Sequence, residues 1–328
     1  MSPALIVMYH YVRRDGSQIS PGIRPLFTSE FETQLDWLSE RFDIVGAEEF
    51  LDQVQTPEWS LQRPPVAAEA TTPEMNKPLC LLTFDDGTKD HAEVVTPILQ
   101  ARGLSGVFFI LSGPAERGNM PLTHAIHWLL GGDEEKVWRL FEKHAGGSLG
   151  DSAVACRTYH YETPLRARIK YAANMVLPNG VTERIVQDAV REAGRTMEDL
   201  AREWFVSADD IRAMDAAGMT IAMHGVTHRS LQSLGATGIR QEISHCSTYL
   251  QRLTGKLPTW YACPFGGSGA PPESLAAMHD AMRVTGVVAS VSTQKSYVLP
   301  GSDLFSLSRL DAIDLPPRRL ETTMDARS

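Results

Sequence analysis

Four short stretches of this chain carry residue types that could do chemistry. Thr83-Phe84-Asp85-Asp86-Gly87 sets two adjacent carboxylates and a glycine at the end of an apolar run. Neighbouring acids repel one another, and a bound cation is the usual compensation. Alone, the pair reads equally well as a helix N-cap, a position that favours Asp. His224-Gly225-Val226-Thr227-His228 puts two imidazoles four residues apart, on one turn, where both can face one ion. Packing explains many such histidine pairs, but this one also follows an apolar run. One Asp and two His make three ligands and leave positions open for water and substrate, the pattern of catalytic metal sites. Cys263-Pro264-Phe265-Gly266-Gly267 fixes a tight loop whose backbone N–H groups could face a ligand. Alone it is simply a turn. Met8-Tyr9-His10-Tyr11-Val12 ends the first apolar run on a histidine, a residue that more often serves packing.

These stretches need elements to bring them together. Apolar runs predict strands over 4–9, 79–84, 106–111, 219–223, 259–263, 287–291 and 304–310. Between them, helical spacing predicts helices over 90–102 (stopped by Gly103), 207–218 and 238–253. Ser29 with Glu32 forms a capping-box signature ahead of Phe31, Leu35 and Leu38, so a further helix is expected to run to Arg41. Strands alternating with helices mean βαβ units and a parallel sheet or barrel, whose strand C-termini bind ligands. All four chemical stretches sit at such ends. Between Ser112 and Glu203 the rhythm turns helical, with Val137, Leu140 and Phe141 on one face and another helix over 181–193. The expected organisation is a barrel from 1–112 and 204–328 with a helical insertion at 113–203. That insertion is expected to cap the site, with a dimerisation arm as the alternative. Five prolines between 57 and 78 predict a loop.

Composition bounds the rest. The chain has 328 residues and a formal charge of -9, and its basic clusters, such as Arg318-Arg319, are short, so no nucleic-acid partner is expected. Its four cysteines form no Cys-x-x-Cys pair and are expected in the core. No apolar run is long enough to span a membrane, and Ala4–Met8 is too short for a signal peptide. A cytoplasmic protein is the expectation. His91, His245 and the His124/His127 pair are expected to serve the surface or packing, with substrate contact a second reading for that pair. Trp128, Trp138, Trp204 and Trp260 are expected in the core, with sugar stacking the alternative for the insertion's aromatics.

TFDDG at 83–87, HGVTH at 224–228 and CPFGG at 263–267, in this order, resemble the motifs of polysaccharide deacetylases, the NodB-homology group or carbohydrate esterase family 4. The resemblance covers residues 1–112 and 204–310. It implies an α/β fold, a distorted (β/α)7 barrel, and hydrolysis of N-acetyl groups on amino sugars with one divalent metal. Zn²⁺ suits the ligand types, and Co²⁺ or Ni²⁺ fits as well. Carried over by position, Asp86, His224 and His228 hold the metal and Asp85 is the general base. The backbone N–H of Phe265, supported by Pro264, polarises the acyl oxygen. Three positions depart from the pattern: Ala262 where many members carry Arg, Gly225 where Ser or Thr is usual, and Leu307-Ser308-Arg309 where a Leu-x-His commonly supplies the acid. In a circularly permuted subgroup, similar to the deacetylases of poly-N-acetylglucosamine, an N-terminal Tyr-His-x-Val motif supplies that acid. Tyr9-His10-Tyr11-Val12 resembles it, so His10 is expected to be the general acid, with Arg309 orienting Asp85. The implied substrate is a small amino sugar or sugar conjugate of cytoplasmic glycan biosynthesis. A deformylase or other amide hydrolase on the same fold, and a non-catalytic sugar-binding homologue, are the alternatives.

Overall fold

The computed structural model describes residues 3–17, 22–55, 77–160, 162–267 and 269–318. The proline-rich loop expected at 57–78 lies almost wholly outside the described residues. The apolar runs form seven parallel strands: β1 (Leu5–Tyr9), β2 (Leu79–Phe84), β3 (Val107–Ile110), β4 (Thr220–Met223), β5 (Trp260–Ala262), β6 (Ala289–Val291) and β7 (Leu310–Asp311). Their order is β7-β1-β2-β3-β4-β5-β6, and a two-residue strand, Asp43–Ile44, flanks β2. Parallel strands are covered on both faces and so read as continuous apolar sequence; every residue of β1, β2 and β3 is buried. The sheet curls, and the chain before β7 bridges its two edges, with Leu307 beside Val291 and Leu310 beside Val7. The result is the expected α/β class, a seven-stranded curled half-barrel.

Register lines up the chemistry. Tyr9 pairs with Phe84, and Asp85 N donates to Tyr9 O at 2.9 Å, so His10 and the two aspartates leave neighbouring strands together. Ile110 pairs with Met223, and His224 N donates to Ile110 O at 3.0 Å. The aromatic rings beneath this end tie the strands: Phe84 stacks on Phe108 at 4.6 Å and on Tyr9 at 5.1 Å.

Local chemistry moved several element boundaries. Helix α1 (Thr28–Arg41) begins before the expected Ser29 cap. Glu30, not Glu32, reaches back to the Phe27 N–H at 2.9 Å, while the Thr28 and Ser29 hydroxyls donate to Asp15. Helix α2 (Ala47–Gln55) follows. The helix expected over 90–102 opens as a π-helical turn, His91–Val95, before α3 (Thr96–Ala101). Pro97 lacks the N–H that would bond the Glu93 carbonyl, and the Arg14 guanidinium takes that carbonyl instead at 3.0 Å. The strand expected over 304–310 is interrupted: Asp303 accepts from Phe305 N and caps a 3₁₀ turn, Leu304–Ser306, ahead of β7.

The insertion leaves the C-terminal end of β3 as α4 (Ser112–Arg117), α5 (Leu122–Leu129), α6 (Glu134–His144), α7 (Ser152–Thr158), α8 (Pro164–Tyr171), α9 (Asn179–Glu192) and α10 (Met197–Trp204). Its apolar faces form a cluster that includes Trp138, Phe141, Val186 and Leu200, and also Tyr11 and Ile23 from the N-terminal segment. The insertion is thereby packed onto the chain that follows β1. Helices α11 (Ala208–Ala216), α12 (Ala236–Thr254) and α13 (Pro272–Val284) complete the outer layer. Among the described residues no helix is long and apolar enough to cross a membrane. Cys80, Cys246 and Cys263 are buried free thiols, but Cys156, also expected in the core, is only half-buried.

Because Phe84 links three strands at the site end, Phe84→Ala is expected to cost about 3–5 kcal/mol. The denaturant midpoint should fall accordingly; an unshifted midpoint would deny Phe84 this role.

Candidate active site

Asp85 and Asp86 end β2 side by side, both buried, and each has its own positive surroundings. Arg309 meets Asp85 as a fork: Nη1 donates to Oδ1 at 2.7 Å and Nη2 to Oδ2 at 2.8 Å. The guanidinium is itself anchored, donating to Thr83 Oγ1 at 3.2 Å and, through Nε, to Ser292 O at 3.0 Å. Burial works to raise the Asp85 pKa, but the charge and hydrogen bonds of Arg309 outweigh it and hold the carboxyl below the usual range. Asp85 is therefore ionised at neutral pH with both oxygens oriented.

Asp86 is arranged differently. Its Oδ1 lies 3.2 Å from His224 Nε2 and 3.3 Å from His228 Nε2. Ligand atoms of these three residues all lie within 4.8 Å of one another. Oδ1 is buried without a hydrogen-bond partner, which costs free energy unless a positive group completes it. His224 Nδ1 donates to Ala262 O at 2.7 Å, fixing the ring with Nε2 inward, as metal-ligating histidines usually are fixed. The His228 imidazole is pushed down to about 3, chiefly by burial, and so stays neutral as a ligand must. An orphaned carboxylate oxygen facing two imidazoles, one of them fixed by Ala262 O, fits a divalent cation.

The backbone holding these groups is strained. Asp86 (φ 81°), His228 (φ 56°) and Phe265 (φ 59°) are non-glycine residues in the left-handed region, a conformation that clusters at functional sites. The loop between the histidines is held by Glu242 of α12, whose carboxylate accepts from Val226 N at 2.6 Å, Thr227 N at 2.9 Å and Thr227 Oγ1 at 2.6 Å. Gly225 fits this loop for a physical reason: its φ is +85°, and a Cβ would stand 3.0 Å from Glu242 Oε2. That accounts for glycine where the resemblance predicts Ser or Thr.

His10 is half-buried at the end of β1, and its carbonyl accepts from His91 Nε2 at 2.8 Å. It lines a cavity of about 500 Å³ together with Tyr11, Asp86, His127, Lys170 and Asp311. Phe265 places its ring 4.8 Å from that of His228, beside the buried Pro264. The structure thus brings the expected Asp85, Asp86, His224, His228 and Arg309 into one cluster, with His10 and Phe265 at its rim. It also adds two residues that the sequence reading did not place there. One is Glu242. The other is His124 of α5, expected to serve the surface or packing with substrate contact the second reading, whose buried Nε2 lies 3.1 Å from Asp86 Oδ2. Burial works to raise the Asp86 pKa, yet His124, with His224 and His228, holds it well below the usual range.

Arg309→Met leaves Asp85 buried without its counter-charge, and is expected to lower stability by about 3–5 kcal/mol at neutral pH. Chemical denaturation checks this; a loss under about 1 kcal/mol would mean that Asp85 is stabilised by other groups.

A polysaccharide deacetylase family model matches residues 170–283, which contain both histidines and the CPFGG loop but not the two aspartates. No curated protein matches the chain. Among solved structures, the chain is similar to the Streptococcus pyogenes deacetylase PplD (15% identity, 94% of this chain and 92% of that one, TM-score 0.54). It is likewise similar to IcaB from Ammonifex degensii (15% identity, 94% and 91%, TM-score 0.54). A de-N-acetylase from Aggregatibacter actinomycetemcomitans gives 18% identity over 94% and 95%, with a TM-score of 0.52. Over residues 170–283, and in its fold, the chain is similar to the polysaccharide deacetylases.

Proposed function

We propose that this chain is a metal-dependent hydrolase that removes the N-acetyl group of an amino sugar. The observation that carries the proposal is the unequal treatment of two adjacent buried carboxylates. Asp85 is saturated by Arg309, whereas Asp86 turns a bare oxygen toward two imidazoles. Asp86, His224 and His228 would hold the ion, and Zn²⁺ suits their donor set, as do Co²⁺ and Ni²⁺. When bound, such an ion lowers the pKa of water and polarises an acyl oxygen.

The protein's own groups do the rest. Asp85, ionised and held by Arg309, accepts the proton of the attacking water. We assign the Phe265 N–H to the acyl oxygen, a kind of contact worth about 3–4 kcal/mol. The amide nitrogen cannot leave as an anion, so it must be protonated, and His10, at the rim of the same cavity, supplies the proton. An acid on the first strand supports the arrangement of the permuted subgroup, and it answers the absence of histidine from Leu307-Ser308-Arg309.

The cavity supports a short substrate. It is lined by His127 of α5 and Lys170 of α8, both from the insertion, and by Ile23 and Asp311. Its volume of about 500 Å³ would hold one or two sugar rings. We therefore favour a free, nucleotide-linked or lipid-linked amino sugar, a glycan-biosynthesis intermediate met in the cytoplasm. The same site would accept an N-formyl group, so the assay should score acetate and formate separately on a panel of N-acylated amino sugars. No release of either by the metal-loaded enzyme would favour a sugar-binding role.

His10→Ala is expected to lower kcat by about 10²–10⁴-fold while the metal stays bound. Turnover near that of the wild type would remove His10 from the mechanism.

A further inference from the structure

A fourth side chain reaches the metal cluster, and it comes from the insertion. His124 is 1% exposed, and its Nε2 lies 3.1 Å from Asp86 Oδ2, the oxygen that does not face His224 and His228. We propose that His124 is a positioning residue for the metal ligand Asp86, so that the helical insertion, and not the barrel alone, completes the metal centre. The inference rests on the metal-site reading above.

A carboxylate whose second oxygen is free can rotate or grip an ion with both oxygens. A donor fixed on Oδ2 leaves Oδ1 as the one atom presented to the ion. The Asp86 backbone itself, at φ 81°, lies in the left-handed region. The His124 ring is itself immobilised by edge-on aromatic neighbours, with centroids 4.9 Å from Phe205, 5.8 Å from His127 and 6.1 Å from Tyr11. Its Nδ1 is buried without a hydrogen-bond partner, and because a carboxylate oxygen only accepts, the contact with Oδ2 requires Nε2 to be the donor. Packing alone does not call for an imidazole here, since an unsatisfied buried nitrogen is costly. The polar contact recorded for this ring is the one with Asp86. It mirrors His224, whose outward nitrogen is tied to Ala262 O. Partners of this outer kind are typically worth 10–100-fold in metal affinity.

The test is Zn²⁺ affinity by competition with a chromophoric chelator, together with the visible spectrum of Co²⁺-loaded protein and thermal unfolding of the metal-free form. His124→Phe is expected to weaken Zn²⁺ about 10–100-fold with the Co²⁺ bands in place, in protein still folded at the assay temperature although the lost Asp86 contact lowers the metal-free unfolding temperature. His124→Gln, whose amide nitrogen reaches as far as Nε2, should recover most of the affinity; His124→Asn, one atom shorter, should not. If the Phe variant does not fold, the Gln and Asn pair decides. Wild-type affinity in His124→Phe, or equal losses in His124→Gln and His124→Asn, would overturn the positioning role. Co²⁺ bands shifted to a different coordination number in His124→Phe would make His124 a ligand instead, which also overturns it. Tight binding by the wild type, lost in Asp86→Ala but kept in His124→Phe, would overturn this inference alone. No binding by the wild type would overturn the metal site with it.

Discussion

Two like charges side by side in a buried setting are the constraint around which this molecule is organised. Asp85 and Asp86 are adjacent in sequence, buried, and carried on the central part of the sheet. Neither could stay ionised there without its own charged or hydrogen-bonding partners. The two solutions differ. Asp85 takes a guanidinium from the far end of the chain, brought over by the curl that sets β7 beside β1. Asp86 takes imidazoles from the end of β4 and from α5, and keeps one oxygen unpaired. The first arrangement holds a carboxylate still and ionised; the second turns an unpaired carboxylate oxygen toward two imidazoles.

Much of the remaining architecture serves to hold those partners. Strand register puts His10, Asp85 and His224 at neighbouring strand ends. Glu242 clamps the turn between the two histidines, and Gly225 fits under that clamp. The insertion contributes twice, by walling the cavity with His127 and Lys170 and by presenting His124 to Asp86. It is anchored for that task through Tyr11 and Ile23, which share its apolar cluster. The cavity wall and the Asp86 cluster therefore share one short helix, α5, through His127 and His124.

What was legible in the sequence follows from physics that is local. Parallel strands buried on both faces announce themselves as apolar runs, so β2 was placed at its observed bounds and the motifs at its ends were placed with it. Boundaries slipped where a side chain competed for the backbone, as Glu30 did at α1 and Asp303 did ahead of β7. Glu242 and His124 lay beyond reach for a different reason. Glu242 sits 16 residues away from Val226 on a separate helix, and His124 lies 38 residues from Asp86 inside a segment with no motif. Nothing in spacing or hydropathy distinguishes such residues from ordinary surface or core neighbours. Arg309 was visible only as a substitute for a donor that the resemblance implied and Ala262 could not supply. The fork it makes with Asp85 is a tertiary fact.

The central claim is that Asp86, His224 and His228 form one divalent-metal site. Metal content of the purified protein, measured beside His228→Ala after both are offered Zn²⁺ and dialysed, tests it most directly. About one tightly held ion per chain in the wild type, absent from the variant, is the result predicted here. Equal metal content in the two proteins, or none in either, would contradict it.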